Sequence, residues 1–93
     1  MITLKHSHAA PILADPGFGR TWRSYEFWVT GRVRRWHVTL YSRTGSTLGY
    51  VADYDNGWGA NVATARGFKS AGHDGYRTAQ AAADALLKER AKR

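Results

Sequence analysis

Arg32, Arg34, Arg35, His37, Tyr41 and Arg43 fall within twelve consecutive positions of the chain. Four guanidinium groups at that density suit a phosphate-bearing or guanine-bearing partner, because the planar fork donates in pairs to phosphate oxygens and to the O6 and N7 edge of guanine. An imidazole and a phenol among them add hydrogen bonding and ring surface against sugars or bases. Trp28, slightly upstream, supplies a further ring. The chemistry implied is recognition of a polyanion by an arginine and aromatic surface.

Other chemistries find less support. The chain has no cysteine, which excludes disulfides, thiol catalysis and cysteine-ligated zinc. Gly17-Phe18-Gly19 and Gly57-Trp58-Gly59 each begin a dinucleotide-binding pattern, but neither has the third glycine or a following helix, and both read as turns. No Gly-Lys-Ser/Thr phosphate loop exists. His6 and His8 share one side of an extended segment without a third ligand, so no metal and no cofactor is expected. Asp53 and Asp55 share a strand face and read as solvated acids beside a turn. Glu26 and His37 are the residue types of a small ribonuclease, a base and an acid beside an arginine, but general acid–base pairs are recognised by geometry rather than composition.

Charge points the same way as the arginine cluster. The 93 residues carry a formal net charge of +7, with 14 Lys and Arg against 7 Asp and Glu. A surplus of that size attracts polyanions at long range. It is uneven: through Thr47, seven basic residues face two acidic ones, a net of +5, and the remainder carries +2. Arginine provides ten of the fourteen cations, a bias that codon usage in a GC-rich genome would also produce. Hydrophobic residues at 43% and aromatics at 13% give enough apolar material for one folded domain. No apolar run is long enough for a membrane span or a signal-peptide core, so a cytoplasmic protein without a membrane partner is expected.

The elements that must hold the cluster are strands. From Arg34 to Tyr54, two β-branched and aromatic runs flank a polar break containing Gly45, which predicts a β-hairpin. Alternation sends Trp36, Val38 and Leu40 to one face of its first strand and Arg35, His37, Thr39 and Tyr41 to the other. Tyr25 to Thr30 reads as a preceding strand. Placing Phe27 and Val29 in the core with Val38 and Leu40 brings Trp28 and Arg32 onto the cationic face; the alternative of equal weight buries Trp28 under the N-terminal arm. Leu48, Tyr50 and Ala52 are expected on the buried face of the third strand. Asp55 to Gly59 reads as a turn, Ala60 to Ala65 as a short fourth strand and Gly67 to Gly75 as a glycine-rich loop. Thr78 is a suitable N-cap for a closing helix whose Ala79, Ala82, Ala83 and Leu86 form a narrow stripe able to lie close on the sheet. Lys88, Arg90, Lys92 and Arg93 at its end complement the helix dipole. Residues 1–20 are interrupted by Pro11, Pro16, Gly17 and Gly19 and read as a partly mobile arm, with residues 21–93 as a single sheet-plus-helix domain.

The segment from Tyr76 through Arg77, Thr78 and Ala79 to Leu86 resembles the start of the helix in plant ethylene-response-factor-type domains, where an aromatic residue, a Thr cap and paired alanines follow a three-stranded antiparallel sheet. Phage integrase amino-terminal domains share that plan. The resemblance implies a sheet lying in the DNA major groove, with Arg and Trp side chains making the contacts. This chain departs from both families in its Gly67 to Gly75 stretch, where they pass almost directly from strand to helix. The alanine-rich helix is also similar to that of double-stranded-RNA-binding domains, whose amino-terminal helix and lysine cluster are missing here.

The expected architecture is therefore α+β, with a three- or four-stranded antiparallel sheet packed against one C-terminal helix. The expected function is binding of nucleic acid, DNA favoured, through Trp28, Arg32, Arg34, Arg35, His37, Tyr41 and Arg43, and not catalysis. The alternative is a small, phage-encoded interaction protein that docks on a host or partner protein, since Trp, Tyr and Arg are the residue types that dominate interface hot spots.

Overall fold

The computed structural model describes residues 10–29, 33–54, 57–72 and 75–92, with the backbone alone for Trp28, Val29, Val33 and Arg34. Five strands run in the order β1 (Thr21–Val29), β2 (Val33–Tyr41), β3 (Thr47–Tyr54), β4 (Gly57–Thr64) and β5 (Gly67–Ser70), followed by one helix, α1 (Ala79–Ala91). They form a single antiparallel meander in which sequence order is spatial order. The fold is α+β as expected, with five strands rather than three or four.

The β2–β3 hairpin forms where the sequence predicts it. Ser42 closes the connection, its amide donating to the Ser46 carbonyl at 2.8 Å while its hydroxyl accepts from the Ser46 amide at 3.0 Å. Gly45 takes the positive φ of 93° that lets the chain return. Residues 57–59 open β4 instead of completing a turn, because Gly57 already pairs with Tyr54. Asp55 and Asn56 lie outside the described residues. Gly57 is needed for space as well as conformation: at φ 122°, a Cβ would come within 2.9 Å of the Gly75 and Tyr76 backbone.

The fifth strand arises inside the expected loop. Gly67-Phe68-Lys69-Ser70 has one large apolar side chain and no alternation to betray it, yet it pairs with Asn61 to Thr64 along the free edge of β4. Ala71 extends the pairing by donating to the Ala60 carbonyl at 2.8 Å. Tyr76 then returns to the same edge in a reciprocal pair of hydrogen bonds with Trp58, at 2.8 and 2.9 Å, and hands the chain to the helix.

The core lies between the helix and the middle strands. Thr78 caps α1, its Oγ1 accepting from the Ala81 amide at 3.1 Å. The stripe of Ala79, Ala82, Ala83 and Leu86 is buried, and it packs on Val38, Leu40, Val51, Ala60 and Val62. Small side chains let the helix come close to the sheet, so a modest core closes without large residues. The arm lies on this same side: Leu13 packs against the core, Ala14 donates to Gln80 Oε1 at 2.8 Å, and Trp22 Nε1 donates to the Ala14 carbonyl at 3.1 Å.

Two face assignments differ from the sequence reading. In β1, the register pairs Phe27 with Arg35, Ser24 with Val38 and Trp22 with Leu40, so Trp22 faces the helix and Phe27 faces away. In β3, Gly49 and Val51 pair with Leu40 and Val38 on the helix side, which turns Tyr50 and Ala52 to the other face. A register shift between Leu40 and Tyr41 absorbs the odd residue, and Leu48 still packs against the core. In both strands the heavier apolar set lies on the uncovered side, which is why hydrophobic weight misassigned them.

Candidate nucleic-acid interface

Strand alternation collects one class of side chain on the face away from the helix. Tyr25 and Phe27 from β1, His37 and Tyr41 from β2, Tyr50 and Tyr54 from β3 and Phe68 from β5 all stand there. The described tryptophans, Trp22, Trp36 and Trp58, alternate to the helix side. Tyr25, Phe27, Tyr54 and Phe68 keep between 37% and 52% of their surface exposed, so this is an open aromatic surface and not a second core. Among the described residues, the helix and the arm both lie against the opposite face.

Tyr50 is the hub of the ring system. Its centroid lies 4.3 Å from His37 and 4.8 Å from Phe68, both at an interplanar angle of 73°, the edge-to-face arrangement that the ring quadrupoles favour. Phe68 reaches Tyr50 across β4 because β4 presents only Gly57, Gly59, Asn61 and Ala63 on this face. Burial raises the Tyr50 pKa, and the neighbouring Tyr54 adds to the effect. A second pair lies toward the β2–β3 turn, where the Tyr25 and Tyr41 hydroxyls are 2.9 Å apart. That hydrogen bond is the main cause of a raised Tyr41 pKa, which the nearby Arg23 partly offsets.

The charges are segregated. Glu26 pairs with Trp36 and Asp53 with Trp58, which sends both carboxylates to the helix side by alternation. Asp15 lies in the arm, and Asp84 and Glu89 lie on the helix. No described carboxylate therefore stands on the open face. Arg23 projects there, exposed, opposite Thr39. Arg43 is exposed in the adjoining turn, its stem so close to Gly19 that a Cβ on the glycine would meet Arg43 Cδ at 2.9 Å.

The residues singled out from the sequence have different surroundings. His37 and Tyr41 share the open face, but His37 is half-buried, with Nε2 unpartnered among the described residues. Burial lowers its pKa below the ordinary 6.5, so at neutral pH it is an uncharged ring supporting Tyr50 and not a cation. Arg35 is also largely covered, with 14% of its side chain exposed. The β2–β3 ladder stops at His37 and Ala52, and beyond that point Nη1 of Arg35 lies 3.9 Å from Asp53 Oδ1. Trp28 and Arg34 are register partners near the end of the β1–β2 ladder, while their side chains and the whole of Arg32 lie outside the described residues. Sequence reasoning missed Arg23, Tyr25, Phe27, Tyr50, Tyr54 and Phe68. The signal available was the small-residue series Gly57, Gly59, Asn61 and Ala63 at period two, which marks a strand face with room for neighbouring rings.

Glu26 and His37 leave the β1–β2 ladder on opposite faces, since Glu26 pairs with Trp36 and His37 with Tyr25. They cannot flank one scissile bond in the manner a ribonuclease pair requires. Among the described residues, no group of three or more His, Asp or Glu could hold a metal ion, and no helix is long and apolar enough to cross a membrane. His6, His8 and Asp55 lie outside the described residues. Comparison with known proteins gives no match: no family model, no curated protein and no solved structure is significantly similar to the chain.

Proposed function

We propose that this protein is a small nucleic-acid-binding module, with DNA the favoured partner, and that the open sheet face is its contact surface. The observation that carries the reading is the combination on that face of exposed rings with a complete lack of described carboxylates, in a chain of net charge +7. A polyanion approaching it meets no described carboxylate, while the described acids are held on the helix, in the arm or on the helix side of the sheet. Arg23 and Arg43 neutralise phosphates, and the tyrosines and phenylalanines pack on sugars or bases. In sequence, Arg32 and Arg34 add two further cations shortly before Arg35. Titration of a labelled DNA with salt tests the reading. Binding through several phosphates makes log affinity fall steeply with log salt concentration, and a flat response or no binding at low salt would remove it.

A protein partner is the second reading, and the exposure of Tyr25, Phe27, Tyr54 and Phe68 favours it, because aromatic residues on a rigid surface anchor protein interfaces. Affinity capture after nuclease treatment separates the two. A directly bound host protein survives the treatment, whereas a partner bridged by nucleic acid is lost.

A further inference from the structure

The shape of the open face bears on which form of nucleic acid it takes. Neighbouring strands are about 4.8 Å apart, so five of them span about 19 Å from first to last. The major groove of B-DNA is about 12 Å wide and admits a helix or a two-stranded ribbon. The full face is therefore too broad to enter it. The side chains point to the same conclusion, because the hydroxyls of Tyr25 and Tyr41 are bonded to each other and His37 is held beneath Tyr50. Groups tied up in this way are poor readers of base edges but well suited to presenting ring surface. A single strand needs such a surface, since its unstacked bases expose π-faces that a duplex conceals.

We propose that the open face binds single-stranded nucleic acid, with unpaired bases stacked on Phe68 and Tyr54 on either side of the fixed Tyr50 ring and phosphates directed to Arg23 and Arg43. The inference rests on the nucleic-acid reading given above and specifies the partner of the same site. Phe68 and Tyr54 are both exposed: Phe68 packs edge to face on Tyr50, and Tyr54 follows Tyr50 on the same face of β3. Between them β4 carries only glycine, asparagine and alanine on this face, so no large side chain of β4 stands beside the rings. Contacts among the rings hold them in place before binding, which reduces the ordering cost on association. Arg23 is level with Tyr50, since both pair with Thr39 of β2, and Arg43 is exposed in the β2–β3 turn, so the cations border the rings on the side of β1 and the turn. This arrangement of stacking platform and cationic margin is sequence-tolerant, because every base has a π-face.

The test compares affinities, by fluorescence anisotropy, for a labelled mixed-sequence DNA strand of about 20 nucleotides, its RNA counterpart and the duplex formed with its complement. The intact protein is compared with Phe68→Ala and Phe68→Trp. Phe68 is exposed on an edge strand, so neither change should disturb the fold, and unchanged circular dichroism and Tm verify that. The expected result is at least tenfold tighter binding of the single strands than of the duplex. Phe68→Ala should weaken the single strands by about 5- to 100-fold, the effect of losing one stacked base, while leaving the weaker duplex binding unchanged, and Phe68→Trp should restore affinity. Equal affinity for strand and duplex, or an unaltered single-strand affinity in Phe68→Ala, overturns the single-strand inference but leaves nucleic-acid binding standing. Failure of all three probes to bind at low salt removes the nucleic-acid reading itself.

Discussion

Leu86 of the helix is pressed against Gly49 of β3: a Cβ on the glycine would lie 2.7 Å from Leu86 Cδ1 and 2.5 Å from the Asn61 backbone oxygen. The glycine leaves room for Leu86 to reach the backbone of β3 beside Val51, on the side that the helix covers. Gly49→Ala is expected to destabilise the protein by about 1–3 kcal/mol, the usual range for overpacking, since the Asn61 carbonyl belongs to the backbone and cannot rotate away. Leu86→Ala should cost about 2–5 kcal/mol through the cavity it leaves. The double variant should be more stable than the sum of the two losses, because removing the leucine relieves one of the two clashes. Urea denaturation of the four proteins measures the coupling, and simple additivity would mean that the two residues do not press on each other.

The helix was the most legible element, and the reason is local. Thr78, the following alanines and Leu86 specify a cap and a buried stripe through nearest-neighbour chemistry alone, and the structure has the same residues in the same roles. The β2–β3 hairpin was legible for the same reason, its turn residues and flanking alternation both being local. The faces of β1 and β3 were not. Phe27 and Tyr50 are apolar enough to look buried, and only the pairing across strands shows them to stand on the uncovered side. The fifth strand was hidden because an edge strand of four residues can be held by its neighbour's backbone without any pattern of its own. The candidate site shares the difficulty: charge indicated a polyanion, but the rings that form the surface, from β1, β2, β3 and β5, become neighbours only when the whole sheet is in register.

Replacement of Thr78 tests whether the helix depends on its cap. Its hydroxyl accepts from the Ala81 amide at 3.1 Å, and no acidic residue in the first turn assists it. Thr78→Ala should cost about 1 kcal/mol, and Thr78→Asp should match or exceed the native stability, because aspartate caps as well and adds a negative charge at the positive end of the dipole. Thermal denaturation of the three proteins decides the point. An aspartate variant no more stable than the alanine variant would argue against capping as the role of this side chain.

His37 makes stability depend on pH with a definite sign. Burial lowers its pKa in the folded protein below the ordinary 6.5, so across the interval beneath that value the unfolded chain binds a proton that the folded one does not. Stability therefore rises with pH through this interval and is lost as pH falls from about 6.5 toward the lowered folded value, with the contribution of His37 constant above it. His37→Gln should remove that part of the pH dependence while keeping a polar group of similar size. Denaturation midpoints measured for both proteins at several pH values test the assignment. An identical slope in the variant would show that other groups, and not His37, produce it.

Two of the basic regions among the described residues can be separated by their salt dependence. Arg23 projects from the open face and Arg43 from the adjoining turn, whereas Lys88, Arg90 and Lys92 cluster at the end of the helix, where Arg90 donates to the Leu48 carbonyl at 3.4 Å and Lys92 lies 3.6 Å from Glu89. If nucleic acid lies on the open face, Arg23→Ala and Arg43→Ala should each reduce the slope of log affinity against log salt by about 0.7 for a single strand, the change expected for one lost phosphate contact. Arg90→Ala and Lys92→Ala should leave the slope unchanged, since their charges serve the helix end and repel no competing partner there. Anisotropy titrations between about 50 and 200 mM salt resolve changes of this size. A reversal, with the helix-end variants losing slope and the sheet variants keeping it, would move the contact surface to the opposite side of the molecule and leave the exposed rings free for a protein partner.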